Sequence, residues 1–385
     1  MIPYARQHIS QDDIDSITAV LQSDWLTQGS VAPRFEQAVA DYCGAKYAIS
    51  TNSATSALHL ACLAAGLGPD DRLWTSANTF VASANCGRYC GAQVDFVDID
   101  PDTYCISPSA LDKKLSEADA SDTLPKVVIA VHFAGQSCDM QRLHALSQRY
   151  GFLLIEDAAH AIGGEYQQQK IGGCAYSDMT VFSFHAAKVI TTAEGGMIVT
   201  NSAAYAEKLA LLRSHGITRN PQHFICKSEG EWYYEQHELG YNYRMNEIQA
   251  ALGLSQLQRL DEFVFRRRSL AACYQHLLDD LPVKLPWQHP DTNSAWHLYV
   301  IRIDAAENTR SRAEVYAVMK AAGIGVNVHY IPVHIQPYYR QLGFCWGDYP
   351  EAERHYQEVI TLPLFFTMTD AQLNQVAEKL REALS

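Results

Sequence analysis

Lys188 stands in the run Ser183-Phe184-His185-Ala186-Ala187-Lys188-Val189-Ile190-Thr191-Thr192-Ala193-Glu194-Gly195-Gly196. It lies between two apolar stretches, among small residues, with no acid beside it. Taking such an amine out of water lowers its pKa and makes it a nucleophile for an aldehyde. A solvated loop lysine is the alternative. The two glycines let backbone pass close to a ligand. Glu156-Asp157-Ala158-Ala159-His160 follows the apolar run Phe152–Ile155. A carboxylate at the end of a buried strand is costly unless something cationic meets it. A protonated pyridine nitrogen is one such partner; a salt bridge or a metal is another.

Asn52-Ser53-Ala54-Thr55-Ser56 joins a short strand to an alanine-rich helix. Free backbone N–H groups and hydroxyls there can hold a phosphate, although Ser53 also reads as a plain N-cap. Phe80, after Thr75-Ser76-Ala77-Asn78-Thr79, is an aromatic that either stacks on a flat ring or packs in the core. The set supplies a phosphate cradle, a ring stack, an acid for a pyridine nitrogen and an amine for an aldehyde. Pyridoxal 5'-phosphate needs all four. No Gly-Lys-Ser/Thr Walker ending follows Ser53 and no GxGxxG occurs, which weakens nucleotide and nicotinamide readings.

The elements that must position these residues alternate. Tyr47–Ser50, Arg72–Thr75, Val94–Val97, Val127–Phe133, Phe152–Ile155, Met179–Phe184 and Met197–Thr200 read as strands. Several are continuous apolar runs, as strands covered on both faces require. Helices are expected from Ser10 (with Ile14, Ile17, Val20 and Leu21 on one face), over Pro33–Cys43 and over Ala54–Ala65. The pattern predicts an α/β fold with a mostly parallel, seven-stranded-type sheet. After about residue 250 the texture changes. One long helix is expected over Asn246–Tyr274, then a strand over Trp296–Ile303, a helix over Arg312–Ala322, and a last helix capped by Thr369 or Asp370. Residues 1–250 are therefore expected to form a large domain with the N-terminal segment, and 251–385 a smaller α+β domain.

Hydrophobic residues make up 48% of the 385 and charged residues 19%, which suits a compact globular chain rather than a disordered one. The net charge of −13 argues against nucleic-acid or anionic-membrane binding. No apolar run approaches the roughly 18 residues of a membrane span, and the N-terminus shows no signal peptide. The ten cysteines are scattered, with no CxxC pair, so no metal site is expected and a reducing cytoplasm is.

The order NSAT, TSANTF, EDAAHA, SFHAAK…EGGM and GYNYRM resembles the sugar aminotransferases among the fold-type I pyridoxal-phosphate enzymes, along essentially the whole chain. IPYARQ, SDWLTQG, TSANTFVASANC, VDFVDIDPDTY and VHYIPVHIQPYYRQLGF are most similar to the pseudaminic-acid pathway branch. His185-Ala186-Ala187-Lys188 and Thr192-Ala193-Glu194 replace that branch's usual HPVK and TGEGG and resemble the aminoarabinose branch. The resemblance implies that Lys188 is the Schiff-base lysine and that Asp157 pairs with the pyridine nitrogen. Phe80 would stack on the ring, His160 would lie beside the ring hydroxyl, and Ser53, Ala54, Thr55 and Ser183 would hold the phosphate. Asn242 would reach the phosphate of a neighbouring subunit, making a homodimer with a shared site. Tyr4, Trp25, Gln28, His329, Tyr330 and His334 would contact substrate. The implied reaction moves the amino group of L-glutamate, through pyridoxamine phosphate, to C4 of a UDP-linked 4-keto-6-deoxy-HexNAc sugar. Other nucleotide-linked 3- or 4-keto sugars stay open. A sugar dehydratase of the same fold would carry His in place of Lys188, and a catalytically inactive regulator would lack Lys188 or Asp157.

Overall fold

The computed structural model describes residues 1–304 and 308–385. Its central sheet contains β1 (Tyr47–Thr51), β2 (Arg72–Ser76), β3 (Gln93–Val97), β4 (Val127–Val131), β5 (Leu153–Asp157), β6 (Met179–Ser183) and β7 (Gly196–Thr200). The order is β1-β7-β6-β5-β4-β2-β3. Neighbours pair in parallel except at β7, which runs antiparallel to both β1 and β6. The sheet is thus mostly parallel, as expected. β4, β6 and β7 are buried at every position, which explains their unbroken apolar sequence.

Helices flank the sheet: α1 (Gln11–Leu21), α2 (Val31–Cys43), α3 (Ala54–Ala64), α4 (Ala82–Tyr89), α5 (Pro108–Ala120), α6 (Met140–Tyr150) and α7 (Ala203–Arg213). Gly44 closes α2 at φ 75°, the left-handed geometry for which glycine is the cheapest residue. Ser10 and Asp13 form a capping box at the start of α1. Ile14 and Leu21, on the expected apolar face of α1, are exposed; the buried positions are Asp13 and Val20.

The single long helix expected over Asn246–Tyr274 is two, α8 (Glu247–Leu257) and α9 (Leu260–Leu277). Between them Arg259 leaves helical geometry at φ −110° and ψ 9°. Its guanidinium meets the fully buried Asp13 at 2.6 Å, and Ser255 and Gln256 donate to the same carboxylate at 2.6 and 2.7 Å. The helical period runs on across the break because both pieces bury one face. The kink follows from satisfying a buried charge on α1. α8 straddles residue 250 and packs on α1 and α2.

The C-terminal part has its own core. The antiparallel pair β8 (Tyr299–Arg302) and β9 (Val359–Leu362) packs with α9, α10 (Arg312–Ala321) and α12 (Asp370–Leu384) through Leu270, Tyr299, Met319, Ile360 and Leu380. α11 (Pro350–Glu358) leads into β9. Thr369 caps α12, which buries Leu373, Val376, Leu380 and Leu384. The N-terminus stitches the two parts: Ile2 belongs to this second core and bonds Gly323 and Gly325.

Candidate active site

Strand ends on one edge of the parallel sheet open into a cavity of about 560 Å³, lined by residues from both parts of the chain. Open α/β sheets bind their ligands there, outside the carboxyl ends of the strands. Lys188 enters from the loop after β6, where its N–H bonds the His185 carbonyl. Burial lowers its amine from the usual range to about 8, against the opposing pull of Asp157. A substantial neutral fraction therefore exists near neutral pH. Asp157 ends β5 and is buried. Its Oδ1 accepts the Ala159 N–H at 3.1 Å and its Oδ2 the Ser83 hydroxyl at 2.6 Å.

The other acid of the pair, Glu156, points to the opposite sheet face, as strand alternation requires. There it is buried against His132 at 2.6 Å, with Ser177 and Thr180 also donating. His132 accepts the Cys138 N–H at Nδ1, so its Nε2 carries the proton given to Glu156. Glu156 is a structural acid, and Asp157 alone faces the cavity.

The start of α3 forms the corner of the cavity where a phosphate was expected. Ser53 Oγ caps the helix by accepting the Ser56 N–H at 3.1 Å. Ala54 and Thr55, the first helical residues, have no carbonyl partner within the helix, and both line the cavity with Ser183. Gly196 fits beneath them. A Cβ there would lie 2.5 Å from the Ser53 carbonyl atoms and 2.6 Å from Ala54 N. The glycine was expected to admit a ligand; it admits the backbone of the helix start instead.

The far wall comes from the loop after β5 and from residues 327–330. The Ala134 N–H donates to His160 Nδ1 at 3.2 Å, so the His160 proton sits on Nε2 and is given to Tyr330 Oη at 3.1 Å. The Tyr330 hydroxyl proton is thereby free for the cavity. The Tyr330 N–H is held by Asn78 at 3.1 Å. Burial holds His160 well below its usual range, with Lys188 and His329 adding to the shift. Burial also pushes His329 down to about 3. These rings are neutral, and among the described residues Lys188 is the only Lys or Arg in the cavity wall.

Of the residues singled out in the sequence, the cavity brings together Lys188, Asp157, Ser53, Ala54, Thr55, Phe80, His160, Ser183, Tyr4, His329 and Tyr330. Phe80 is 58% exposed at its rim. Asn242, Trp25 and Gln28 are exposed outside it. His334 was expected at the substrate and is fully buried elsewhere, 2.8 Å from Glu353 of α11, because a buried carboxylate there requires a donor. Sequence reading missed His297 and Asn327, which line the cavity from the C-terminal part, and Ser83, which holds Asp157. His297 carried no local signal. Ser83 did: it lies one helical turn beyond Thr79, to which its hydroxyl is bonded.

The residues fit pyridoxal phosphate. The corner offers helix N–H groups and hydroxyls, a buried carboxylate faces a weakly basic amine, and the cavity exceeds the cofactor's size. The chain matches the DegT/DnrJ/EryC1/StrS aminotransferase family over residues 7–381. It is 40% identical, over 99% of its length and 96% of the other's, to the spore coat polysaccharide biosynthesis protein SpsC of Bacillus subtilis. Its fold matches PseC of Helicobacter pylori, an aminotransferase involved in the biosynthesis of pseudoaminic acid, with a TM-score of 0.89 and 31% identity over 100% and 99% of the two chains. It also matches Spr1654 of Streptococcus pneumoniae, solved in its PMP form, with a TM-score of 0.90 and 28% identity over 100% and 99%. The protein has the fold-type I architecture and belongs to the DegT/DnrJ/EryC1/StrS family of pyridoxal-phosphate-dependent aminotransferases.

Proposed function

We propose that the chain transfers the amino group of L-glutamate to C4 of a UDP-linked 4-keto-6-deoxy-HexNAc sugar, in a cytoplasmic pathway of the pseudaminic-acid type. The observation that carries the transfer is the Lys188 amine, lowered to about 8 and sharing one cavity with Asp157 and the start of α3. Bound pyridoxal phosphate supplies the electron-withdrawing ring that makes a C–H next to nitrogen acidic. Lys188 would hold the cofactor through its aldehyde, and its weakly basic amine would move the proton as general base and acid. Asp157 holds the ring nitrogen in its protonated form. Ala54 and Thr55, through their N–H groups, bind the phosphate with Ser53 and Ser183. Phe80 would cover the ring, and His160, hydrogen-bonded to Tyr330, would lie beside its hydroxyl. Tyr4 and His329 face the sugar.

Both substrates are anionic, and among the described residues the wall of one chain carries no arginine. Asn242 is exposed outside the cavity of its own chain, which supports a homodimer in which it reaches the phosphate of its neighbour, while Trp25 and Gln28 remain candidate substrate contacts. The C4, UDP-sugar reading draws on the likeness to PseC. The 40% identity to a spore coat polysaccharide protein favours a second reading, amination of another nucleotide-linked 3- or 4-keto sugar. A panel of UDP-, GDP- and dTDP-keto sugars with glutamate, followed by 2-oxoglutarate release, separates them. Lys188→Ala loses the cofactor's visible absorbance and all turnover with every sugar; retained turnover overturns the assignment.

A further inference from the structure

Asp157 is useful as a partner for a ring nitrogen only while its carboxylate is held in one orientation. Ser83, on α4, is fully buried and donates to Asp157 Oδ2 at 2.6 Å. An ionised carboxylate can only accept, so the single Ser83 proton is committed to it. The Ser83 oxygen lies 2.8 Å from Thr79 Oγ1, and with the Ser83 proton spent, Thr79 is the donor in that contact. Thr79 is buried too. The protons therefore run one way, Thr79 to Ser83 to Asp157. On its other oxygen Asp157 takes the Ala159 N–H at 3.1 Å. Two fixed donors, one per oxygen, remove the freedom of the carboxylate to rotate about its last bond. A carboxylate has about four acceptor positions, so capacity for a third donor in the cavity remains.

We infer that Ser83, backed by Thr79, is a positioning residue that fixes the orientation of the Asp157 carboxylate that meets the ring nitrogen of the cofactor. The inference rests on the reading of Asp157 under the proposed function. Its consequence is a division of labour on one segment: Thr79-Phe80-Val81-Ala82-Ser83 presents a ring cover at Phe80 and a carboxylate anchor one helical turn away.

The test uses the full chain loaded with pyridoxal phosphate, compared with Ser83→Ala, Thr79→Val and Asp157→Asn. Two quantities are read: the rate of cofactor release on dilution, and the pH at which the visible band of the bound cofactor titrates. Ser83→Ala should release cofactor about tenfold faster, the effect of one hydrogen bond to a charged group. Its band should titrate at higher pH, because a ring nitrogen that keeps its proton less well withdraws less charge. Thr79→Val should shift both in the same direction by less. Ser83→Ala unchanged in both while Asp157→Asn changes them overturns this inference alone. Asp157→Asn unchanged overturns the reading of Asp157 and this inference with it. If Ser83→Ala does not fold, Thr79→Val decides: a shift in both quantities supports the relay, and none overturns it.

Discussion

An amine enclosed by protein keeps its proton less well than one in water, and for Lys188 burial outweighs the attraction of Asp157 and brings the pKa to about 8. Only the neutral amine attacks an aldehyde. The rate at which the cofactor-free chain captures pyridoxal phosphate should therefore rise with pH up to about 8 and level off above it. Rapid mixing followed by absorbance measures this; a rate still climbing at pH 10 would mean that the amine is solvated as ordinary lysines are. The same scale separates Glu156 from Asp157. Adjacent in sequence and chemically alike, they differ by one step of strand alternation, which gives one to His132 and the other to the cavity.

The candidate phosphate corner depends on elements rather than single groups. β7 reverses direction after the Lys188 loop and pairs with β1, setting Gly196 opposite Thr51. This brings β7 under the first turn of α3, where only a missing side chain leaves room for Ser53 and Ala54. Gly196→Ala should cost more than about 2 kcal/mol, since backbone must move to relieve the overlap. It should also weaken cofactor binding by displacing the Ala54 and Thr55 N–H groups. Thermal melts with and without pyridoxal phosphate test this; a smaller melting shift on adding cofactor than in the parent is expected, and an undiminished one contradicts the arrangement. The split between α8 and α9 belongs to this scale too. The apolar period of residues 246–274 is continuous, so nothing local announces the break. It comes from Asp13, more than two hundred residues earlier.

Across the whole molecule, the seam between the two parts is lined by histidines kept neutral. His160 comes from the first part, and His297, His329 and His355 from the second; burial is the main cause of the lowered value in all four. An unfolded histidine takes a proton near pH 6.5. In the folded chain His329 and His355 do so only at about 3. Between those values the unfolded state binds more protons, so stability falls as pH drops below about 6.5. The melting temperature of the cofactor-free chain should decline steadily from pH 7 to 5. A flat profile over that interval would show that the histidines are solvated and the seam open.

The sequence by itself determined the layered α/β scheme and singled out the candidate reacting groups. Strands covered on both faces must be apolar throughout, so β4, β6 and β7 announce themselves, and the charged residues that follow such runs, Asp157 at the end of β5 and Lys188 in the loop after β6, stand out as candidates for chemistry. Local spacing also disclosed the caps at Ser10, Ser53 and Thr369 and the stop at Gly44. Tertiary structure alone decided which candidates meet. Tyr330 and Asn78 are 252 residues apart and Tyr330 and His160 are 170 apart, so their contacts leave no periodic trace in the chain. It sent His334 to Glu353, brought in His297, and gave the glycine of Glu194-Gly195-Gly196 a helix start to clear rather than a ligand. Side-chain type is written in the sequence, but the direction a side chain faces depends on what packs against it, and that is settled only when distant elements close around a shared cavity.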